Sequence, residues 1–304
     1  MKINHNNENL KDFTSDCLFD KDLVLKKNKS FPKISIITPS YNQGRYLERT
    51  ILSVLNQNYP NLEYIIIDGG STDNSVEIIK KYEKYLTYWI SEKDKGQSDA
   101  LNKGFKIAAG EIIGWQNSDD IYLPKTFFKI VDLFDKYKQA DIIYGDRLDI
   151  DEKDGILGES IFTDFSTTVC LYDGLQLGTQ SVFWRKEVFA KIGMLDINLH
   201  FAMDYEFFLR AGKRGLKYKY FPYRFGAMRR HREAKTEIYS GTPLHNKEKE
   251  LIDKKYGRIK LLNLPLKIYS LLFRAFNYCF HGNSRYLFNG LSRRFGNNSL
   301  LSGQ

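Results

Sequence analysis

The first half of the chain alternates between short apolar runs and longer segments in which apolar residues recur at helical spacing. The runs are KISIITPSY, EYIIID, YLTYWIS and EIIGWQ. The helical segments that follow them span residues 46–55, 76–82, 100–108 and 127–134. Unbroken apolar strands separated by helices are typical of a parallel sheet that is covered on both faces. The pattern therefore predicts an α/β fold with a mostly parallel sheet flanked by helices.

Polar residues stand where each predicted strand gives way to its helix. In chain order they are Pro39, Ser40 and Tyr41, then Asp68, then Asp94 and Lys95, then Asp119 and Asp120. Ligands of such sheets bind beyond the carboxyl ends of the strands, in the loops that enter the helices. The sequence therefore predicts that these strand ends form one binding cleft.

The adjacent carboxylates of Asp119 and Asp120 repel each other unless a partner relieves the repulsion. A cation would do so, and so would the hydroxyls of a polar ligand. Mg²⁺ or Mn²⁺ held by a few carboxylates takes its other ligands from phosphate oxygens and water. The chain has neither a GxGxxG motif nor a Walker glycine-lysine loop, which argues against a dinucleotide fold and a P-loop ATPase. A diphosphate bound through a metal ion fits the paired aspartates.

Composition is that of a globular protein, and charge adds a feature near the C-terminus. The 304 residues are 42% hydrophobic, and the formal net charge is +9. From Lys247 onward, 11 Lys and Arg residues stand against 3 acidic ones. Residues 261–280, LLNLPLKIYSLLFRAFNYCF, are apolar but are interrupted by Pro265, Lys267 and Arg274, which is unfavourable for a membrane-spanning helix.

Two interpretations of this C-terminal segment remain open. It can lie in a bilayer interface and bind anionic lipid, with faces set by Leu266, Tyr269, Ser270, Phe273 and Asn277. It can equally pack on the main domain with Lys and Arg at its rim. A nucleic acid partner is not expected, because aspartates gathered at the strand ends would repel a phosphate backbone.

Cysteine usage and the N-terminus bear on the compartment. Cys17, Cys170 and Cys279 form neither a CxxC pair nor a disulfide framework, which favours a reducing environment. The N-terminal MKINHNNENLKDFTSD is polar and has no apolar core of the kind found in signal peptides. We therefore expect a cytoplasmic protein, peripheral on the inner face of the cell membrane if the C-terminal segment binds lipid.

Two stretches resemble the family 2 glycosyltransferases. SIITPSYNQGRYLERTILSVLNQNYPNLEYIIIDGGSTDNS and GEIIGWQNSDDIYLP match that family in composition and spacing, within a resemblance that covers residues 32–236. The resemblance implies a GT-A fold and transfer of a sugar from a nucleotide diphosphate donor with inversion at the anomeric carbon. The chain then divides into an N-terminal extension (1–31), a GT-A domain (32–240) and a basic helical tail (241–304).

The resemblance assigns nucleotide contacts to the first two strand ends. Pro39, Ser40 and Tyr41 match the start of the family's nucleotide site, where the Tyr41 ring could stack on a base. Asp68 matches the first acid of the family's usual Asp-Asp pair. The second acid is Gly69 in this chain, so the identity of the base stays open.

Two further motifs extend the donor site. DKGQSDALNKG resembles the loop and helix that cover the diphosphate. Its candidate contacts are Asp94, Lys95 and Asn102. NSDD stands where the family more commonly has Asp-x-Asp-Asp, with Asn117 in the leading place. The resemblance then puts Asp119 near the ribose or the metal and makes Asp120 the ligand of Mn²⁺ or Mg²⁺.

The acceptor side follows from the segment TQSVFWRKEVFAKIGMLDINLHFAMDYEFFLRAGKRG. Asp204 matches the family's general base at the start of a helix, which an inverting transfer needs opposite the leaving diphosphate. Without the family context, a plain helix N-cap is the preferred interpretation of Asp204. Glu206 is the reserve candidate, and Gln180 matches a polar position on the floor of the acceptor cleft.

RRHREAKT resembles the flexible segment that closes over the diphosphate in the family. Its cationic side chains, which would stabilise charge on the leaving group, are Arg229, Arg230, His231 and Lys235. His231 is the preferred contact, and a solvated basic loop is the alternative for each of them.

The resemblance implies a glycan or lipid-linked acceptor, in the assembly of a surface polysaccharide. A sugar nucleotidyltransferase would also bind a nucleotide and a metal, but ISIITPSYNQG lacks the glycine-rich signature of those enzymes. A non-catalytic basic adaptor for membranes or nucleic acid would explain the tail but not the carboxylates at the strand ends.

Overall fold

The structure is a computed structural model, and it describes residues 7–283. Its strands are β1 (Ile34–Ser40), β2 (Leu62–Asp68), β3 (Tyr88–Ser91), β4 (Ile112–Trp115), β5 (Ile121–Tyr122), β6 (Ile142–Ile150), β7 (Ile156–Ser160), β8 (Val182–Arg185) and β9 (Tyr218–Arg229). Its α-helices are α1 (Asn7–Ser15), α2 (Lys21–Lys26), α3 (Gly44–Leu55), α4 (Ser75–Tyr82), α5 (Gln97–Ile107), α6 (Thr126–Lys136), α7 (Thr167–Asp173), α8 (Val188–Ile192), α9 (Met203–Lys213), α10 (Lys235–Tyr239), α11 (Pro243–Lys255) and α12 (Asn263–Phe280).

The first half of the sheet is parallel, and the predicted α/β fold is confirmed. β1 lies between β2 and β4, and β2 also pairs with β3, all in parallel. β1 and β2 are buried at every residue, which is why neither strand alternates polar with apolar side chains. Their last residues, Ser40 and Asp68, are register partners, so the two strand ends lie side by side.

The second half of the sheet pairs in both directions. Among the described strands the order is β3-β2-β1-β4-β8-β6-β9-β5, with β7 beside β6. β8 is antiparallel to β4 and β6, whereas β6 and β9 are parallel. β5 pairs antiparallel with β9 and aligns Ile121 with Ala227. This register brings the acidic loop before β5 next to the end of β9, so residues about 110 positions apart in the sequence meet.

The core lies on both faces of the sheet. One face packs against α5 and α9 through Phe105, Trp184 and Phe207. The other face packs against α3, α4 and α6 through side chains such as Leu47 and Phe127. Burying these aromatic and aliphatic side chains stabilises the fold by roughly 1.5–3 kcal/mol each. The result is a rigid sheet whose strand ends are held in fixed positions.

The N-terminal segment is attached to α3 by hydrogen bonds. The Asn56 amide donates to the carbonyl oxygens of Phe13 and Asp16 at 2.7 and 2.8 Å, and its oxygen accepts from the Leu18 N–H. The Thr14 hydroxyl donates to Asp154 at 2.7 Å. Residues 1–6 of the predicted N-terminal extension lie outside the described residues.

The C-terminal helices pack on the domain. α12 contacts α7, with the Asp164 N–H donating to Asn277 at 3.0 Å and an ion pair between Arg274 and Asp173 at 3.0 Å. One face of α12 therefore packs on the domain, as the second interpretation of this segment predicts. These contacts do not involve the opposite face. None of the helices within residues 7–283 has the length and apolar character needed to span a bilayer. Residues 284–304 of the predicted tail lie outside the described part.

Candidate active site

A cavity of about 1150 Å³ lies at the carboxyl ends of the parallel strands. It brings together most of the side chains that the sequence singled out: Pro39, Ser40, Tyr41, Asp94, Asp119, Asp120, Gln180, Asp204, Arg230 and Lys235. The predicted cleft thus exists, and it also contains residues from the second half of the chain. Asp68, Lys95, Asn102, Glu206 and His231 do not line it.

The Asp120 carboxylate is buried and already fully hydrogen-bonded. The side-chain amides of Gln180 and Asn117 donate to Oδ2 at 2.7 and 3.0 Å, and the Arg229 N–H donates to Oδ1 at 2.9 Å. Burial, followed by the neighbouring charge of Asp119, raises the pKa of Asp120 to about 7. The expectation that Asp120 is the open metal ligand does not fit this geometry, because both of its oxygens point at protein donors.

Asn117 explains why this chain carries NSDD. Its oxygen accepts from the Trp115 indole N–H at 2.7 Å and from the Gln97 amide at 2.8 Å, so its nitrogen is oriented toward Asp120. An aspartate in its place would bring a third carboxylate next to a buried one. The neutral amide instead donates a hydrogen bond and relieves the crowding of charge.

Asp119 presents its carboxylate to the cavity. The side chain is 18% exposed, and Oδ2 lies 3.0 Å from Nε2 of His231. His231 itself is buried, with its ring 4.5 Å from that of Tyr46, so it orients Asp119 from behind the cavity wall rather than covering it. The predicted role of His231 as a lid contact does not fit this position.

A divalent cation fits the Asp119 side of the pair. Within residues 7–283 no group of three or more His, Cys, Asp or Glu side chains could hold a metal by itself. Mg²⁺ and Mn²⁺ do not require such a cage, because one or two protein ligands suffice when diphosphate oxygens and water supply the rest. Asp119 is the carboxylate available for this purpose, with His231 beside it.

Arg229 ties the acidic loop to its surroundings. Its guanidinium has no solvent exposure and donates to the carbonyl oxygens of Asp119 and Asp151, both at 2.9 Å. It also pairs with Asp154 at 2.5 Å and lies over the Tyr46 ring. Arg229 is therefore a buried framework residue and not part of a solvated basic loop. A charge this well paired fixes the backbone next to Asp119.

Arg230 and Lys235 carry positive charge to the cavity wall. Arg230 is partly exposed and pairs with Asp149 and Glu237 at 3.3 and 3.4 Å. Lys235 donates to the Gln97 oxygen at 3.0 Å and to the His200 carbonyl at 2.6 Å. Burial lowers the pKa of Lys235 to about 8, while Asp204, Glu248 and Asp94 oppose the shift. Lys235 therefore lies within electrostatic reach of Asp94 and Asp204 at once.

Asp68 holds its own loop together and does not reach the cavity. It is fully buried and accepts hydrogen bonds from the Gly70 N–H, the Ser71 N–H and hydroxyl, and the Ser91 hydroxyl, at 2.6–3.1 Å. Every one of these donors belongs to the protein. Asp68 therefore has a structural role in its loop, and this position does not fit the nucleotide contact that the resemblance implies.

Asp94 occupies the space beside Gly69 where the family's second acid would project. A Cβ atom added to Gly69 would stand 2.6 Å from Oδ2 of Asp94, closer than real Cβ atoms approach. The Gly96 N–H holds Oδ1 of Asp94 at 2.7 Å, and burial raises the pKa of the Asp94 carboxyl. Asp94 is thus the carboxylate available at this end of the cavity. It follows β3, whereas the family's second acid would follow β2 at position 69.

Asp204 lines the cavity from the first turn of α9. It is not the N-cap, a position that Ala202 occupies without a side-chain hydrogen bond. Burial raises the pKa of Asp204, although the Tyr205 N–H donates to Oδ1 at 2.7 Å. A carboxylate made more basic by desolvation and facing a cavity is suited to accept a proton.

Glu206 and Asn102 belong to the framework instead of the acceptor and donor sites. Glu206 is buried and binds Arg210, Lys255 and Tyr256, which lower its pKa although burial alone would raise it. The Asn102 side chain exchanges two hydrogen bonds with the Leu195 backbone, at 2.9 and 3.0 Å. Lys95 is exposed outside the cavity.

Two residues of this site were missed by the sequence analysis. Arg147 of β6 lines the cavity, donates to the Gln180 oxygen at 3.3 Å and interacts electrostatically with both Asp120 and Asp204. Glu248 of α11 accepts from three successive N–H groups, those of residues 200–202, at 2.6–2.9 Å. It thereby holds the loop that leads into the helix that carries Asp204, up to the N-cap residue Ala202. A charged residue inside the apolar strand IIYGDRLDI was the available signal for Arg147.

The chain is similar to known glycosyltransferases. The model of the family described as glycosyl transferase family 2 matches residues 35–211. An uncharacterized glycosyltransferase of Nostoc sp. is 32% identical over 180 residues, which is 54% of this chain and 54% of that protein. An uncharacterized glycosyltransferase of Mycobacterium tuberculosis is 33% identical over 185 residues, 60% of this chain and 70% of that protein. The chain thus matches only about half the length of the Nostoc relative.

Among solved structures, residues 1–349 of S. aureus TarS in complex with UDP-GlcNAc superpose with a TM-score of 0.58. The two chains are 18% identical, and the match covers 82% of this chain and 73% of that one. At this identity the likeness establishes a shared fold, and the expected GT-A fold is confirmed.

Removing the Glu248 carboxylate should loosen the N-terminal end of α9. Glu248→Ala leaves three N–H groups without their acceptor, and we expect a loss of about 1–3 kcal/mol in unfolding free energy. Glu250→Ala, on the exposed side of the same helix, is the matched control. Chemical denaturation measures both variants, and equal stability of the two would contradict this role of Glu248.

Proposed function

We propose that this chain, which belongs to glycosyl transferase family 2, is a glycosyltransferase that transfers a sugar from a uridine diphosphate donor to an acceptor hydroxyl with inversion. The observation that carries the proposal is that Asp119 and Asp204 line one cavity, in which Arg147 and Lys235 provide positive charge. One carboxylate serves the donor diphosphate, and the other serves the acceptor hydroxyl.

The chemical step is a single displacement. Asp204 accepts the proton of the acceptor hydroxyl while that oxygen forms a bond to the anomeric carbon of the donor. The bond from the anomeric carbon to the diphosphate oxygen breaks, and the electron pair leaves with the diphosphate. Attack on the side opposite the leaving group inverts the anomeric carbon. Desolvation, which raises the Asp204 pKa, supports this role because it makes the carboxylate a stronger base.

Positive groups at the cavity wall oppose the charge that develops on the diphosphate. Lys235, Arg147 and Arg230 all line the cavity, and Lys235 lies near both Asp94 and Asp204. Fixed cations in a site of low water content stabilise such charge more than they would in bulk water. Asp119, oriented by His231, would hold Mn²⁺ or Mg²⁺, and the bound metal would supply further neutralisation of the diphosphate.

The nucleobase is proposed to be uracil. Asp94 offers a carboxylate acceptor at the end of the cavity that contains Tyr41, Gly69 and Lys93. A carboxylate accepts from the ring N–H of uracil, whereas cytosine presents an unprotonated ring nitrogen at the corresponding position. The UDP-GlcNAc found in TarS is consistent with this base, although that ligand is a property of TarS alone.

The acceptor is proposed to be a glycan or a lipid-linked sugar. The cavity is somewhat larger than the 300–1,000 Å³ typical of small-molecule sites, which leaves room beyond a nucleotide sugar. Aromatic rings of His200, Phe201, Tyr239 and His245 line the same cavity, with ring centroids 4.8–6.3 Å apart. Aromatic faces of this kind suit the apolar face of a sugar ring. A screen of sugar nucleotides for metal-dependent binding and hydrolysis would identify the donor.

Asp204→Asn should remove most of the transfer activity and leave donor binding nearly intact. Loss of a general base typically costs roughly 10² to 10⁴ in rate, whereas the amide keeps the shape of the cavity. Transfer assays give the rate, and calorimetry gives the affinity for UDP. Asp135→Asn, an exposed change on α6, is the control. An equal loss of donor affinity in Asp204→Asn would contradict the assignment.

The two neighbouring aspartates should behave differently when each is changed to asparagine. Asp119→Asn should abolish the rise in melting temperature that UDP with Mn²⁺ gives, because a metal ligand is lost. Asp120→Asn should instead destabilise the free protein by about 1–3 kcal/mol, because its amide nitrogen would face protein donors.

Thermal unfolding with and without UDP and Mn²⁺ separates the two cases. If Asp120→Asn were as stable as the parent chain and lost the metal response, Asp120 would be the metal ligand after all.

Exchanging the residues at positions 69 and 94 should test the base contact. Asp94→Ala should reduce the preference for UDP over CDP by about tenfold or more, since a hydrogen bond to a charged acceptor is lost. Gly69→Asp alone should weaken UDP binding, because its side chain meets Asp94. The double variant Gly69→Asp/Asp94→Gly should recover the preference.

Calorimetric titration with UDP and CDP measures each variant. Asp99→Ala, on the same loop-helix segment but outside the cavity lining, is the control. An unchanged UDP-to-CDP ratio in Asp94→Ala would exclude Asp94 from base recognition.

A further inference from the structure

α12 packs on the domain through a face that contains Leu266, Ser270 and Asn277. Ser270 and Asn277 are 1% and 3% exposed. On the opposite side, apolar residues at four-residue spacing point outward. These are Leu264, Ile268, Leu272, Phe276 and Phe280, which are 51–72% exposed. Residues four apart in a helix lie close to one another on its surface, so these side chains form one continuous apolar stripe. We refer to them as the outer face of α12.

Polar contacts hold α12 in this orientation. Asn277 accepts from the Asp164 N–H at 3.0 Å and donates to the Phe273 carbonyl at 2.9 Å, and Arg274 pairs with Asp173 at 3.0 Å. Rotating the helix to bury its outer face would break these bonds. The outer face is therefore a stable feature of the fold. No described residue covers these side chains, as their exposure shows, and contiguous apolar patches of this kind mark interaction sites.

The distribution of positive charge along the chain favours an anionic partner for this face. Residues 254–304 contain nine Lys and Arg residues and no Asp or Glu, whereas the whole chain has a formal net charge of +9. The preceding 253 residues are therefore neutral in sum, and the entire excess of positive charge lies in the segment that contains α12. Lys260 and Lys267 are exposed next to the outer face.

Together these features point to an anionic surface that also has an apolar interior. We propose that α12 docks on an anionic membrane, with its outer face in the boundary between headgroups and acyl chains and Lys260 and Lys267 among the headgroups. A second copy of the chain is a poorer partner, because pairing two outer faces would bring two strongly basic segments together. Nucleic acid would satisfy the charge but leave the apolar stripe in water.

Docking by α12 would place the acceptor side of the cavity near the membrane. α12 packs on α7, and residues 174, 175, 177 and 178 directly after α7 line the cavity. α11, the helix before α12, binds the loop that leads into α9 through Glu248. A lipid-linked acceptor would reach Asp204 from this side, a consequence that rests on the proposed function. The docking itself does not depend on that function.

Sedimentation of the full chain with phospholipid vesicles tests the docking. We expect binding to vesicles that contain phosphatidylglycerol and little binding to pure phosphatidylcholine vesicles, with affinity falling as salt rises. The triple variant Leu264→Ser/Leu272→Ser/Phe276→Ser should lose at least about tenfold in affinity. Lys260→Gln/Lys267→Gln should lose about fivefold per charge removed. Leu157→Ser, at a 61% exposed residue of β7, is the matched control.

Cysteine labelling locates the contact independently. Cys279 of α12 and Cys17 are exposed, and Cys170 is buried. A Cys17→Ser variant labelled at Cys279 with an environment-sensitive fluorophore should shift to shorter emission wavelengths on anionic vesicles. A Cys279→Ser variant labelled at Cys17 should not shift.

Two results would overturn the proposal. Undiminished vesicle binding by the triple Ser variant would assign the contact to another part of the chain. A dimer in light scattering that the triple Ser variant dissociates, with no vesicle binding by the parent chain, would make a second copy the partner. UDP-induced thermal stabilisation, measured in parallel, reports folding and donor binding, so failure of docking can be told apart from failure of the proposed function.

Discussion

The buried carboxylate of Asp120 is the junction on which the site depends. It receives hydrogen bonds from Asn117 after β4, from Gln180 before β8 and from the Arg229 backbone at the end of β9. These three segments belong to different parts of the sheet, and one acceptor group aligns them. Removing such an acceptor would leave several donors unsatisfied at once, which is costly inside a protein. The two neighbouring aspartates are thereby separated in their surroundings, since one is enclosed by protein donors and the other faces the cavity.

This division between enclosed and open acids recurs at the second strand end. Asp68 is enclosed by its own loop, and Asp94 faces the cavity beside Gly69. In both places one carboxylate is hydrogen-bonded within the protein, and a separate carboxylate faces the cavity. The enclosed acids fix the backbone. Each open acid keeps a hydrogen bond to the protein through one oxygen, Asp119 with His231 and Asp94 with the Gly96 N–H, and turns the rest of its carboxylate to the cavity.

Sequence reasoning recovered the first four strands and their helices because each has a strong local pattern, and it located the cleft because parallel strands share one open end. It made Asp120 the metal ligand and put Asp119 near the ribose or the metal. Adjacent aspartates have the same chemistry, and only the register of β5 with β9 decides which one is buried. Arg147 and Glu248 were not predicted as site residues for a related reason. The hydrogen-bond partners that place them in the site, Gln180 for Arg147 and residues 200–202 for Glu248, lie 33 or more residues away in the chain, and no local pattern records such contacts.

The C-terminal helices pack against the elements next to Asp204 and are not an appendage. α11 and α12 lie beyond residue 211, where the family match ends. Yet Glu248 binds the N–H groups of residues 200–202, which lead into the helix that carries Asp204. Lys255 and Tyr256 bind Glu206 in the first turn of that same helix. Because these contacts hold the start of α9 from outside, the position of Asp204 depends on α11, and a displacement of α11 would move the carboxylate proposed to accept the proton.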